Sequence, residues 1–220
     1  MKIEFKLLPS KIVCVGRNYA DHAKELGNEV PTKPLLFLKA PSAIIASGDS
    51  IVLPSQSTQV EHEGELAVII GHDCKDLRDE DDISGFVLGY TCLNDVTARD
   101  IQQADVQFTR GKSFDTFCPI GPHIETELDV TDIRIITKVN GVTKQDGRTS
   151  QMIFPVDFLI RYISRQMTLK SGDVIATGTP AGVSKLEVGD VCEVAVEGIG
   201  TLTNEVTSQT DAFVTSGRLN

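Results

Sequence analysis

The stretch EHEGELAVIIG, Glu61 to Gly71, runs an acidic ladder into an uncharged apolar segment. With the two-residue side-chain period of a β-strand, Glu61, Glu63 and Glu65 fall on one face and His62 and Gly64 on the other. A strand that continues through Leu66, Ala67, Val68, Ile69 and Ile70 buries both faces, so at least two carboxylates are carried to the edge of a core. Carboxylates in that position must be paired, protonated or metal-bound; the competing reading is a solvated strand end whose acids face water. A second acid/base pair lies in GRNYADHAKELG. There His22 and Glu25 are three residues apart, neighbours on one helical turn, and either hydrogen-bond or stand solvated on a surface helix.

DVTARDIQ adds a third group. Asp95 stands where an apolar strand ends, as a functional carboxylate or as a helix N-cap. Beyond it Arg99 and Gln102 share a helical face, a cation and an amide that suit a bound carboxylate; alternatively Arg99 spends its charge in an ion pair. Lys112 follows Gly111 in a polar stretch and is a site cation or a solvated loop lysine. TGTPAGV, residues 177–183, offers backbone N–H groups and hydroxyls to an anion, but it lacks the G-K-[ST] ending of a phosphate loop.

The elements that must position these groups are mostly strands. Lys11 to Val15, Leu35 to Leu38 with Lys39 after it, Ile51 to Leu53, Val87 to Asn94 and Gly172 to Ala176 read as strands. Asn140-Gly141 marks a type I′ hairpin between alternating residues from Ile133 and a return strand Val142 to Gln145, read as scaffold. Val191 to Val196 and Thr201 to Val206 read as a closing hairpin. Pro155 to Met167 has the 3.6-residue spacing of an amphipathic helix with proline near its first turn. The acids Asp79 to Asp82 suit a solvated helix start better than a metal cluster. Glu29 to Pro34 reads as a polar cover over a strand floor, and Gln103 to Gly111 as a loop. The expected fold class is α+β, mainly β.

With 220 residues, 40% of them hydrophobic, the chain is long enough for one sizeable core. The expectation is a single catalytic domain over 1–206, whose first 50 residues carry the His22/Glu25 pair and its cover, with 207–220 a tail or an arm. A net charge of −10, without a dense Lys/Arg cluster, argues against nucleic acid as a partner. Five scattered cysteines without a C-x-x-C pair point to reduced thiols. The N-terminus lacks a signal-like apolar region, and no apolar run approaches the ~18 residues of a membrane span, so a cytoplasmic protein without membrane contact is expected.

In their order along the chain, GRNYADHAKE, HEGELAVIIG, DVTARDIQ, GKSFDTFCP and TGTPAGV together resemble the fumarylacetoacetate hydrolase superfamily, from about Lys11 to Val206. The likeness is greatest to its short single-domain branch of acylpyruvate hydrolases and oxaloacetate decarboxylases. The resemblance implies a mixed β-sandwich roll with a few short helices, and a homodimer. It implies Glu63, Glu65 and Asp95 as ligands of Mg²⁺, with Mn²⁺ or Ca²⁺ as substitutes, and an all-oxygen donor set agrees with a hard cation. By the same likeness His22 and Glu25 form the acid/base dyad, Lys112 is a site lysine, and Arg99, Gln102 and Thr179 hold the keto-acid end of a small-molecule substrate. The implied reaction is C–C bond hydrolysis of 2,4-diketo acids, with oxaloacetate decarboxylation at the same site. The alternative is an isomerase or decarboxylase of the 2-hydroxyhepta-2,4-diene-1,7-dioate type.

Overall fold

The computed structural model describes residues 1–4 and 8–209. The described chain runs β1 (Lys2–Glu4), β2 (Ile12–Gly16), α1 (Ala20–Glu25), β3 (Leu35–Lys39), β4 (Ile44–Ile45), β5 (Ile51–Leu53), β6 (Val60–Glu61), β7 (Gly64–Ile70) and β8 (Val87–Asn94). It continues through β9 (Thr97–Ala98), α2 (Arg99–Ala104), α3 (Thr109–Lys112), β10 (Cys118–Glu125), β11 (Arg134–Val139), β12 (Val142–Arg148), α4 (Val156–Gln166), β13 (Val174–Ala176), β14 (Val191–Val196) and β15 (Gly200–Ser208). The architecture is mainly β with a few short helices, as expected. No helix among the described residues is long and apolar enough to cross a membrane.

The larger sheet has the order β1-β10-β8-β7-β13-β2-β3 with β4 beside β10, and the smaller has the order β12-β11-β14-β15-β5. They are held together by what alternation puts between them. Val13, Leu66, Val68 and Ile70 of the larger sheet, Ile135, Val194 and Leu202 of the smaller, and Leu159, Ile160 and Ile163 of α4 form one buried cluster. Each such side chain gains about 1.5–3 kcal/mol by leaving water. The opposite face of the larger sheet buries Ile12, Cys14, Ala67, Ile69, Leu93 and Ala176. Both faces of β7 are therefore covered, which accounts for its unbroken apolar run.

Several expectations need correction. The acids 79–82 precede only a 3₁₀ turn, Ser84–Phe86, in which Asp82 accepts from Ser84; three residues are too short to gather an apolar helical face. Gln103 to Gly111 is a loop only over 105–108: Gln103 and Ala104 end α2 and Thr109 to Gly111 begin α3, which packs closely on α2 because Gly111 has no Cβ to meet the backbone of Gln102 and Ala98. β10 was not foreseen, since Pro119 and Pro122 argue against a strand. They are tolerated where β10 pairs with the short β4 and where its register against β8 shifts, between Gly121 and Glu125. The closing strand runs to Ser208, paired with β5, two residues past the expected end of the patterned chain; residues 210–220 of the expected tail lie outside the described residues.

One buried acid ties the parallel pair β2 and β13 of the larger sheet. Asp173, fully buried ahead of β13, accepts from Ser10 N (2.9 Å), Ser10 Oγ (2.6 Å), Lys11 N (3.1 Å) and Lys170 N (2.8 Å), and also pairs with the Lys11 ammonium. It locks the start of β2 to the start of β13. Burial alone would raise its pKa, but Lys11, Ser10 and Lys170 outweigh that and hold it below the usual range. Its stabilisation is thus present above the unfolded carboxyl value of about 3.9 and is lost as pH falls through the lower folded value. Asp173→Asn is expected to lose about 2–4 kcal/mol in denaturant unfolding at pH 7, with the gap to the parent closing from about pH 4 downward. A gap unchanged at pH 2 contradicts this account.

Candidate active site

Four strand ends meet at one edge of the larger sheet. β2 and β13 run parallel, β7 runs antiparallel to β13, and β8 antiparallel to β7. The C-terminal ends of β2, β13 and β8 therefore lie beside the N-terminal end of β7. Gly16-Arg17, Thr177 to Thr179, Asp95, and Glu63 with Glu65 all come from those ends. Alternation puts Glu65 on the face of Ala67 and Ile69, away from the interior between the sheets. Gly64 faces that interior, where a Cβ would stand 2.0 Å from Thr137 Oγ1 of β11. A glycine between the two acids is what lets the smaller sheet pass beneath them. The ladder itself is interrupted, because His62 and Glu63 leave the strand between β6 and β7.

Oxygens of Glu63, Glu65 and Asp95 lie within 4.8 Å of one another, and all three residues are buried. Lys112 Nζ, at the end of α3, bridges two of them by donating to Glu63 Oε2 (2.8 Å) and Asp95 Oδ2 (2.6 Å). Lys39 Nζ donates to the other Asp95 oxygen (2.6 Å) and to Val96 O (3.1 Å). Arg99, opening α2, donates to Glu63 Oε1 (2.5 Å), Glu61 Oε2 (2.8 Å) and Gln102 Oε1 (2.5 Å). Glu65 is treated differently: the hydrogen bond found on it comes from the backbone N–H of Gly178 (2.7 Å). Gly178 has φ +99°, and a Cβ there would meet Asn18 Cβ at 2.6 Å, so glycine alone allows this approach.

The electrostatics follow from these partners. Burial would raise Glu63, but the charges of Lys112 and Arg99 outweigh it and hold the carboxyl well below the usual range. Burial, then the charges of Asp95 and Glu63, push Glu65 well above its ordinary value. Burial would lower Lys112, yet Asp95 and Glu63 keep it above the usual lysine value. The cluster thus holds two compensated carboxylates and one that lacks a cation. An all-carboxylate set with one uncompensated member fits a hard divalent cation, not Zn²⁺.

His22, buried on α1, has Nδ1 3.2 Å from Glu25 Oε2. An ionised carboxylate only accepts, so Nδ1 carries the proton and Nε2 keeps its lone pair. The Glu25 oxygens also accept from Gly182 N (3.0 and 3.2 Å), which ties α1 to the TGTPAGV loop. The anions this loop was expected to receive turn out to include the chain's own Glu65 and Glu25. Its hydroxyls are committed as well: Thr177 Oγ1 donates to Leu66 O and Thr179 Oγ1 to Gly64 O (both 2.8 Å).

A cavity of about 270 Å³ gathers eight of the nine expected site residues, namely His22, Glu63, Glu65, Asp95, Arg99, Gln102, Lys112 and Thr179, and Glu25 reaches it through His22. Arg99 takes the ion-pair form of its two alternatives, and Lys112 is a buried helix-end cation rather than a loop lysine. Two contributors were missed. Lys39 completes an apolar strand, and its one available signal is parity, since it shares a strand face with the partly buried Phe37 of β3. Gln145, on the hairpin read as scaffold, accepts from Gly64 N (2.9 Å) and donates to Thr179 Oγ1 and Pro180 O (both 2.7 Å). It joins the acidic ladder to the loop beside it.

The family described as fumarylacetoacetate (FAA) hydrolase C-terminal matches residues 11–207. The chain is 44% identical over 198 residues to oxaloacetate decarboxylase, mitochondrial, of Dictyostelium discoideum, spanning 87% of this chain and 90% of that one. It is 42% identical over 212 residues to oxaloacetate tautomerase YisK of Bacillus subtilis, spanning 90% and 70% respectively. Among solved structures, 5-carboxymethyl-2-hydroxymuconate delta-isomerase from Mycobacterium smegmatis superposes with a TM-score of 0.86 at 47% identity, over 92% of this chain and 78% of that one.

The donor set carries its own test. Calorimetric titration of metal-free protein with Mg²⁺ is expected to give one site per chain. At 100 times its Kd the ion should raise the unfolding free energy by about 2.7 kcal/mol. Glu65→Gln should weaken binding by more than about 10-fold; an unchanged affinity rejects Glu65 as a ligand.

Proposed function

The chain belongs to the fumarylacetoacetate hydrolase family, and on that premise we propose that it is a Mg²⁺-dependent enzyme that cleaves a C–C bond in 2,4-diketo acids and decarboxylates oxaloacetate at the same site. The observation that carries this reading is the opening of the His22–Glu25 dyad and the Glu63, Glu65, Asp95 cluster onto one cavity. When bound by the three carboxylates, a divalent cation supplies a Lewis acid for the carboxylate and 2-keto oxygens of the substrate.

The chain's own groups then have distinct tasks. Glu25 orients the imidazole and holds its proton on Nδ1, so that His22 takes a proton from water through Nε2 and the resulting hydroxide adds to the distal carbonyl carbon. The bond between C3 and C4 breaks with its electron pair left on the three-carbon fragment, which becomes pyruvate when the proton held by His22 returns to C3; the acyl arm leaves as a carboxylic acid. Lys112, held between Glu63 and Asp95, keeps a positive charge beside the oxygen where negative charge develops. With oxaloacetate the leaving group is CO₂, and no water is consumed.

The second reading, decarboxylation or tautomerisation of oxaloacetate without hydrolysis, is favoured by what the relatives from Dictyostelium and Bacillus are named to do. For tautomerisation His22 would move a proton between C3 and the 2-oxygen, and for decarboxylation it would deliver one to C3 after CO₂ has left. The isomerase alternative uses the same proton transfer on a longer dienoate.

Pyruvate release from acetylpyruvate and from oxaloacetate, together with keto–enol interconversion of oxaloacetate, measured for parent and His22→Ala at saturating Mg²⁺, separates these readings. Hydrolysis is expected to fall by roughly 10²–10⁴-fold in the variant, the scale of general-base catalysis, and decarboxylation by less. A parent that turns over oxaloacetate but no acylpyruvate selects the second reading. A parent inert toward both, and toward hydroxydienoates, defeats the enzymatic one.

A further inference from the structure

His62 lies between Glu61 and Glu63 in sequence and is fully buried, yet the keto-acid chemistry makes no use of its imidazole. Both ring nitrogens are engaged elsewhere. Nδ1 lies 3.1 Å from Gln145 Oε1, and Nε2 lies 2.8 Å from the hydroxyl of Ser184. None of His62, Gln145 and Ser184 lines the cavity that holds the carboxylate cluster.

The direction of these hydrogen bonds is fixed by backbone groups that act in one sense only. A carbonyl oxygen accepts and an amide N–H donates. Gln145 Nε2 donates to Pro180 O (2.7 Å) and Gln145 Oε1 accepts from Gly64 N (2.9 Å), so the side-chain amide has one orientation. Its Oε1 therefore accepts from His62 Nδ1 as well. With the proton on Nδ1, the neutral imidazole offers the lone pair of Nε2, and the Ser184 hydroxyl donates to it.

A hydroxyl bonded to an imidazole that a third group holds in place is the arrangement that activates a weak nucleophile. The holding group is firm: Gln145, on β12, is fully buried and is tied to Thr179 Oγ1 (2.7 Å) as well as to Pro180. The hydroxyl end is open. Ser184 is partly exposed, in the connection between β13 and β14, so an interior base reaches the surface through it. Ser184 O accepts from His62 N (3.3 Å), and Leu186 N donates to Val60 O (2.8 Å), which pins the serine backbone beside the imidazole. By contrast, the N–H groups of Ser184 and Lys185 have no acceptor among the described residues. Free N–H groups beside a nucleophile are what the oxyanion of an acyl-transfer intermediate needs.

We propose that Ser184, His62 and Gln145 form a second nucleophilic site, separate from the carboxylate cluster, that takes small activated carboxylic esters. Ser184 Oγ adds to the ester carbonyl carbon as its proton passes to His62 Nε2. The ester C–O bond then breaks, the leaving oxygen takes that proton, and the acyl group stays on Ser184. Water repeats the two steps, which releases the carboxylic acid and restores the hydroxyl. The acyl arm is short because Ser184 stands outside the cavity that could house a long one.

The test is labelling of the whole protein with diisopropyl fluorophosphate, with and without EDTA, read by intact and peptide mass spectrometry. One adduct per chain is expected, on Ser184, formed at the same rate in metal-stripped protein. p-Nitrophenyl acetate should release a burst of one nitrophenolate per chain. Ser184→Ala should show neither reaction. His62→Gln keeps the hydroxyl without the base and should label roughly 10²-fold or more slowly, the scale of general-base catalysis. A parent that takes no adduct, or takes it at another residue, overturns the proposal whether or not the variants fold. A folded His62→Gln protein that labels at the parent's rate overturns it too.

Discussion

Three carboxylates within 4.8 Å of one another at the buried end of a sheet are the constraint that the rest of this structure answers. Two unit charges 4 Å apart repel by about 4 kcal/mol at an effective dielectric constant of 20. Three such pairs would cost an amount comparable with the whole stability of a domain, about 5–15 kcal/mol. The chain survives this by surrounding the acids with buried cations drawn from three separate elements, Lys39 from β3, Arg99 from α2 and Lys112 from α3. Because Arg99 is shared with a fourth acid, Glu61, the three cations fall one short of the four carboxylates, and Glu65 is the residue left without a cation.

That shortfall shapes the neighbourhood. α2 and α3 are short helices without side-chain caps; Arg99 and Lys112 tie them to the acids, while Asp100 ties α2 to Ser57 and Thr58. Glu61, which begins the ladder, offsets Arg99 rather than joining the triad. On the other side Gln145 reaches from the smaller sheet, which couples the sandwich interior to the position of Gly64 and Thr179. The dyad is attached to the same frame through Gly182, so acid/base group and carboxylate cluster are referenced to one loop.

Much of this was legible in the sequence because local rules sufficed. Continuous apolar runs located β2, β3, β7 and β8, and alternation located β14 and the hairpin, where Asn140 and Gly141 both take the positive φ of a type I′ turn. The E-x-E spacing put Glu63 and Glu65 on one face, and three-residue spacing put His22 beside Glu25. Long-range pairing was illegible. Nothing near Lys39 announces Asp95, 56 residues away, and nothing near Gln145 announces Gly64. β10 was hidden by its prolines, whose missing N–H groups matter only once the neighbouring strands are known. The Arg99 charge was left open between substrate and ion pair because the choice depends on Glu61, which sequence spacing could place on the face but not in contact.

The central claim, that the uncompensated end of this cluster is a divalent-cation site built from Glu63, Glu65 and Asp95, is tested most directly by anomalous diffraction from crystals soaked in Mn²⁺, a stand-in for Mg²⁺ in oxygen-ligand sites. The account predicts one strong peak, with an oxygen of each of the three carboxylates at about 2.1–2.2 Å, and with Lys39 and Arg99 still paired to Asp95 and Glu63. A peak bound through Glu61 instead of Glu65, or no peak at this cluster in protein that remains folded, would contradict it.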